Sequence, residues 1–488
     1  YPRLGVPGLI QETAQDVHPP FYYLWNWLWF SFTGADSLFT LRLSSVIPAV
    51  LTLALVYRLG RDWFGSPWAG LGASGFLATS GIFIHYAREL RMYTLVVMLV
   101  VLSWWLLERF AVRGQRRVLV AYAFVLALLA YTYYFAAFVV LIQIVVILVF
   151  YRARIRAFAL AFGGALLLFA PWLPTVYNQI LLEGARAGRP GEIGKFAATD
   201  PTTLPAIGHF LTTYTAGQYG LALAVIVMAW LAAHVSSPSA SRRRVLIALM
   251  WLFGPVVVVF GLNLIIPVYT LRYLLPVIPA LGLLVGYALV QQPSSARSGL
   301  LLAVVVAGLF SHTAAFLPVR APHQDLLRVI AANFEAGDRV WYNLSSGAMG
   351  SSLQYEMEFH LPHDAPNLTP ADFVWSANQD FQDVASTPRV WDVRPYWIDM
   401  PAAVLEDLTN GRMITLEQTF DGYTVRLYEA PPQIETPIVF ADRLALRPDP
   451  YLAETVMPGT VLRVRTWWQA LAPLERDYSL GMYLRAAD

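Results

Sequence analysis

The sequence predicts a polytopic α-helical membrane protein, followed by a C-terminal extracytoplasmic α/β region and the start of a β-sandwich. Three observations predict it. Long apolar runs recur from about residue 41 to 317 and then stop. Only 14% of the residues are charged while 57% are hydrophobic, against about 25% charged in ordinary soluble domains. Arginine gathers in every second connecting loop.

The apolar runs are read as spans at 43–60, 67–85, 92–108, 118–133, 135–151, 157–177, 219–234, 245–263, 273–290 and 299–317. Each is near the length that crosses a ~30 Å hydrocarbon core. Within them the backbone must be helical, because lipid satisfies none of its polar groups.

Orientation follows from the arginines. One set of loops holds Arg58 and Arg61, then Arg109, Arg113, Arg116 and Arg117, then Arg152, Arg154 and Arg156, then Arg242, Arg243 and Arg244, then Arg297. That side is read as cytoplasmic. The opposite face receives the opening segment, the loop around "HYARELRMY", the stretch 178–218, "PVYTLRYLLP" and everything after about 318. The expected location is the plasma membrane, with the C-terminal region outside.

The domain reading is 1–318 for the spanning unit, 319–430 for an α/β domain and 431–488 for the start of a β-sandwich. In "HQDLLRVIAANF", Leu326, Leu327, Ile330 and Phe334 share one helical face. "DRVWYN", "RVWDV" and "ITLEQTFDGYTVRLYEA" read as strands, the last a hairpin about Asp421-Gly422. "TVLRVRTWW" and "YSLGMYLRA" alternate like half-buried strands.

A net charge of +2 gives no electrostatic case for nucleic acid. Cysteine is absent, so any metal site would need histidine or carboxylate. No Walker loop, GxGxxG or HExxH motif occurs, which argues against a nucleotide as direct donor.

Four polar clusters lie on the expected outer face. Asp16 and His18 precede Pro19-Pro20, whose rings fix the turn, and "FYYLWNWLWFSF" follows with aromatics suited to the headgroup level. Arg42 opens the first long run. Tyr86, Glu89, Arg91 and Tyr93 come from "HYARELRMY"; Glu89 and Tyr93 share a face if that stretch is helical. Arg272 and Tyr273 open a later span. The bland readings are a solvated proline turn, snorkelling arginines and an Arg–Glu pair closing a hairpin. The functional reading is that outer arginines bind a lipid-linked phosphate, which the guanidinium fork suits, while a nearby carboxylate deprotonates an attacking hydroxyl.

"DVHPPFYYLWNWLW", "LRLSSVIPAVLTLALVYRLGRDWFG", "IHYARELRMYTLVVML" and "RYLLPVIPAL" together resemble the bacterial family 39 membrane glycosyltransferases. These belong to the GT-C superfamily and are relatives of protein O-mannosyltransferases and the lipid A aminoarabinose transferase. The family pattern has His-Pro-Pro, Arg-Leu-Pro-Ser and Glu-Ala-Arg-Met-Tyr; here Ser44 stands for the proline and Leu90 for the alanine.

The resemblance covers roughly 1–318 and implies inverting sugar transfer from a polyprenyl-phosphate donor to an acceptor hydroxyl. The partners it implies are that lipid, membrane lipid and an acceptor that the sequence does not identify. It implies a catalytic set of Asp16, His18, Glu89 and Arg91, with Arg42, Tyr86, Tyr93, Arg272 and Tyr273 at the donor phosphate. Glu89 is read as holding an arginine in place. No nucleotide cofactor is implied, and a divalent cation at Asp16 and His18 is left open. The family's usual base lies upstream of His-Pro-Pro, so the chain is read as beginning inside its first outer loop and as cut at both ends.

The competing readings are a lipid or saccharide transporter or flippase and a non-catalytic envelope protein. A transporter would show inverted repeats and broken helices near the midplane.

Overall fold

In a computed structural model of the chain, the described residues are 5–15, 18–34, 38–186, 239–264, 270–315, 323–343, 361, 364–376, 387–395, 400, 402–420, 423–431, 437–440, 442–448 and 466–473. The expected span 219–234 and the Asp421-Gly422 turn lie outside them. The chain divides into two compact units, Tyr1–Pro318 and Val319–Asp488.

The first unit is helical. Its elements are α1 (Val6–Gln15), α2 (Phe21–Thr33), α3 (Leu38–Phe64), α4 (Pro67–Ala78), α5 (Gly81–Ala87), α6 (Tyr93–Arg113), α7 (Arg116–Thr132), α8 (Ala137–Phe150), α9 (Ile155–Phe169), α10 (Leu173–Arg186), α11 (Ser239–Asn263), α12 (Ile278–Val290) and α13 (Ser294–Ala315). Among the described residues, five helical stretches are long and apolar enough to cross a membrane: Phe39–Phe64, Tyr93–Arg113, Arg152–Ile180, Ser241–Asn263 and Leu271–Val290. The unit is a multi-pass membrane unit.

Two expected spans differ in detail. The run 67–85 is not one helix: α4 ends at Thr79 and α5 starts after Ser80. Thr79 turns its hydroxyl back onto the Gly75 carbonyl at 3.0 Å, a local bond of the kind that competes with helix continuation. The run 273–290 opens as a 3₁₀ segment, Leu271–Val277, before α12 begins. Pro276 and Pro279 bracket that change, since proline removes a helical donor.

Helices packed in lipid gain little from hydrophobicity, so close backbone approach through small residues matters. α4 and α12 show this. A Cβ on Gly286 would stand 2.2 Å from the Ala69 carbonyl oxygen, and one on Gly72 would lie 2.9 Å from the Gly286 Cα. No side chain fits between these helices. Gly286→Ala is therefore expected to cost about 1–3 kcal/mol, read as a lower unfolding temperature of the purified protein. An unchanged unfolding temperature would mean that the helices separate freely.

The second unit holds a five-stranded sheet in the order β2-β1-β3-β5-β4. The strands are β1 (Arg339–Asn343), β2 (Phe373–Ser376), β3 (Arg389–Pro395), β4 (Met413–Phe420) and β5 (Tyr423–Glu429). β1 runs parallel to β2 and β3, while β5 is antiparallel to β3 and β4. Strand alternation gives the sheet two apolar faces. One packs Val340, Tyr342, Trp391, Val393, Val425 and Leu427 against Leu326, Leu327 and Ile330 of α14 (His323–Asn333). The other packs Trp341, Val390 and Tyr428 against Val404 and Leu408 of α15 (Ala402–Thr409). A separate three-stranded sheet joins β6 (Ile438–Phe440), β7 (Leu444–Pro448) and β8 (Thr466–Ala470).

Asp392 breaks the apolar pattern of β3. It is fully buried and ion-pairs with Arg394 at 3.2 Å, yet neither carboxylate oxygen makes a hydrogen bond among the described residues. Burial pushes its carboxyl up to about 6, outweighing the arginines that pull it down. The ordinary value is about 4. Between those values the unfolded chain releases a proton that the folded chain retains, so rising pH favours unfolding. The expected loss across that interval is on the order of 2–3 kcal/mol. Asp392→Asn removes it: resistance of this unit to limited proteolysis should fall from pH 4 to 7 more steeply in wild type than in the variant. Equal slopes would contradict the assignment.

Candidate active site at one end of the helical unit

α3 has 27 residues and is about 40 Å long. Its two ends carry different chemistry. At the far end the arginines of the expected cytoplasmic loops gather. Asp62 takes Arg58 at 3.3 Å and the Trp105 indole N–H at 3.1 Å, and Arg109 lies over the Trp105 ring. Glu108 accepts from the Tyr151 hydroxyl and from Arg244 Nε at 3.4 Å, and Arg244 also donates to the Trp63 carbonyl. These contacts tie α3, α6, Tyr151 at the end of α8, and α11 together.

The near end of α3 begins with a proline problem. Pro48 lies inside the helix and has no N–H, so the carbonyl four residues earlier, on Ser44, loses its helical donor. The Trp25 indole N–H of α2 supplies one at 2.9 Å. The Ser44 hydroxyl then donates to Asn26 at 2.6 Å. Next along, Ser45 shares a 3.1 Å hydrogen bond with the Tyr22 hydroxyl and donates to the Arg91 carbonyl at 3.3 Å. Thr94 donates to the Ser45 carbonyl at 2.7 Å. The stretch after Pro19-Pro20 is thereby fastened to α3, and α3 to the turn that carries Arg91.

That turn is not helical. Residues 88–92 form bends and a turn between α5 and α6, with Arg91 N–H donating to the Glu89 carbonyl at 2.8 Å. Glu89 and Tyr93 consequently do not share a helix face, which corrects the i, i+4 expectation. The arginine expected to be held by Glu89 is also replaced: Glu89 Oε1 pairs with His85 Nε2 at 3.1 Å. α5 stops at Ala87, and the side chain of His85, in its last turn, reaches forward to the carboxylate.

Tyr86 meets Tyr93 edge to face at 4.8 Å between ring centroids. Tyr93 meets Tyr133 at 6.1 Å, and Tyr133 meets Tyr273 at 5.9 Å. Tyr273 stacks on Phe135 at 4.0 Å. Arg272 sits over the Tyr273 ring at 5.7 Å and lies within electrostatic reach of Tyr86 and Tyr93. Such ring pairs contribute about 0.5–1.5 kcal/mol each, so the phenols form a packed wall rather than loose side chains.

The structure therefore brings together Tyr86, Glu89, Arg91, Tyr93, Arg272 and Tyr273. Arg42 lies on α3 one turn before Ser45, and His18 lies just ahead of α2, so both belong to the same end by chain position. Asp16 lies outside the described residues. The sequence reading missed Tyr22, Asn26, His85 and Tyr133. The aromatic run "YTYYF" at the end of a span was the available signal for Tyr133. Among the described residues no group of three or more His, Cys, Asp or Glu side chains could hold a metal ion.

Residues 17–177 match the family model described as dolichyl-phosphate-mannose-protein mannosyltransferase. No curated protein sequence matches the chain. Among solved structures the chain is similar to ArnT from Cupriavidus metallidurans bound to undecaprenyl phosphate, with a TM-score of 0.56, 15% identity, and 85% of this chain and 89% of that chain covered. ArnT from the same organism in the apo state gives a TM-score of 0.54 at 15% identity, with the same coverage of both chains.

The proline bracket yields a direct test. Trp25→Phe should orphan the Ser44 carbonyl and cost about 1–3 kcal/mol. Pro48→Ala restores the missing helical donor, so the same change made in a Pro48→Ala background should cost much less. Thermal unfolding of the four proteins measures that difference, and equal costs in both backgrounds would refute the bracket. Across the segment 17–177 the chain is similar to the dolichyl-phosphate-mannose-protein mannosyltransferase family, and its fold is similar to that of ArnT.

Proposed function

We propose that this protein transfers a sugar, with inversion, from a polyprenyl-phosphate carrier to an acceptor hydroxyl on the extracytoplasmic face of the plasma membrane, with its C-terminal unit on that face. One observation carries the reading. An arginine and four phenols, on four separate elements, converge at the end of the membrane unit opposite the arginine-rich loops. That is an anion-binding arrangement where a lipid headgroup lies. The similar fold of ArnT, crystallised with undecaprenyl phosphate, supports a polyprenyl phosphate as the anion.

In this reading the acceptor oxygen attacks the anomeric carbon as the bond to the phosphate oxygen breaks. Polyprenyl phosphate leaves with one more negative charge. Arg272, with Arg91 and Arg42, stabilises that charge as it develops, and Tyr86, Tyr93 and Tyr273 donate hydrogen bonds to phosphate or sugar. The acceptor's proton passes to an outer-face carboxylate, Asp16 or Glu89. His85 orients Glu89, and His18 orients the acceptor.

A transporter would place its charges near the midplane, whereas these lie where spans begin. Arg272→Ala should lower turnover about 10²–10³-fold with little change in unfolding temperature. The measurement is release of free polyprenyl phosphate by the protein in lipid, across a panel of polyprenyl-phosphate sugars. Loss of release in Asp16→Asn but not Glu89→Gln would assign the base to Asp16, and the reverse would assign it to Glu89. Movement of lipid across the bilayer without release would replace the transferase reading with a transporter.

A further inference from the structure

Tyr133 stands at the joint between α7 and a short 3₁₀ turn, Tyr134–Ala136, with extended backbone at φ −164°, ψ 116°. Successive side chains on extended backbone point in opposite directions, and the neighbouring tyrosines meet different fates. The Tyr134 hydroxyl donates to Gln179 at 2.7 Å and accepts the Trp172 indole N–H at 2.9 Å. Gln179 in turn donates to the Thr13 carbonyl at 2.9 Å. Tyr134 is a satisfied structural group. Tyr133 is 3% exposed, and its hydroxyl is buried without a hydrogen-bond partner among the described residues.

A second group in the same cluster shares that condition. Among the described residues Arg272 Nε is also buried without a hydrogen-bond partner, and Arg272 and Tyr133 lie within electrostatic reach of each other. Tyr273 touches both, by the ring contact with Tyr133 and the guanidinium over its face. A guanidinium only donates, and a phenol donates readily. Buried polar groups are nearly always paired, so two unmet donors beside one another call for an acceptor-rich anion.

We propose that Tyr133 is a further phosphate-binding residue, donating its hydroxyl hydrogen bond to the phosphate of the lipid-linked donor beside Arg272. The inference rests on the transferase reading above and adds a contact from the α7–α8 joint. It also assigns opposite jobs to two adjacent tyrosines: Tyr134 holds the joint, and Tyr133 meets the ligand.

The test is Tyr133→Phe in the full chain, reconstituted in nanodiscs, with Tyr134→Phe beside it. Phenylalanine keeps the ring contacts, so the fold persists. The expected result is an apo unfolding temperature equal to or above wild type, because a buried unmet hydroxyl has been removed. Affinity for undecaprenyl phosphate should fall about tenfold to a hundredfold, the worth of one hydrogen bond to a charged group. Tyr134→Phe should do the converse, lowering the apo unfolding temperature and leaving affinity largely intact. Undiminished affinity in Tyr133→Phe, or a lower apo unfolding temperature with it, overturns the inference while the transferase reading stands. Dependence on Tyr133 seen with inorganic phosphate but not with undecaprenyl phosphate separates the residue from the donor and overturns it too. If wild type binds no undecaprenyl phosphate, the transferase reading fails first and takes this inference with it.

Discussion

Hydrocarbon returns no hydrogen bonds, and the helical unit is arranged around that fact. A carbonyl freed inside a span must find a donor from another part of the protein. Pro48 frees one, on Ser44, and the Trp25 indole of α2 meets it. Once α2 is docked, Asn26 and Tyr22 sit against Ser44 and Ser45. Ser45 reaches the Arg91 carbonyl, and Thr94 at the start of α6 reaches the Ser45 carbonyl. A single missing N–H is thus the seed of a network that ties α2, α3, α6 and the turn beside the candidate active site. The aromatic stretch after Pro19-Pro20 is part of that framework.

The two ends of the unit hold polar clusters of different make-up. At the arginine-rich end Glu108 receives Tyr151 and Arg244, and Arg244 also reaches the Trp63 carbonyl. That cluster joins several helices and acts as a clasp, although Arg243 Nε and Trp63 Nε1 beside it are buried without a hydrogen-bond partner among the described residues. At the other end the tyrosine wall is packed by its rings while Arg272 Nε and the Tyr133 hydroxyl keep unused donors. Completed networks hold structure, whereas open ones are suited to a ligand that completes them.

Much of this was legible in the sequence for a simple reason. Spans are written in runs of many residues, so each apolar run repeats its message several times over. Tyr86, Tyr93, Arg272 and Tyr273 stood out because charge and phenol at the mouth of an apolar run are conspicuous. What escaped was pairwise. The break between α4 and α5 depends on Thr79 and Ser80 in their setting. The partner of Glu89 is His85, and α5 ends at Ala87, a stop that no flanking glycine or proline announces. Tyr133 looks like any tyrosine at a helix end until Tyr93 and Tyr273, 40 and 140 positions away in the chain, are packed beside it. Asp16 lies outside the described residues, so its role is argued from its neighbours in the sequence alone.

The contact between α4 and α12 bears on how such a site can work. Where Gly286 meets Ala69, backbone touches backbone with nothing compressible between. Helices joined in that way have little room to slide or roll against each other. Arg272 and Tyr273 lie in the 3₁₀ segment that feeds directly into α12. Their placement is thus set by a contact between two helices that carry none of the candidate site residues themselves, so a change at Ala69, Gly72 or Gly286 would reach the site without touching it.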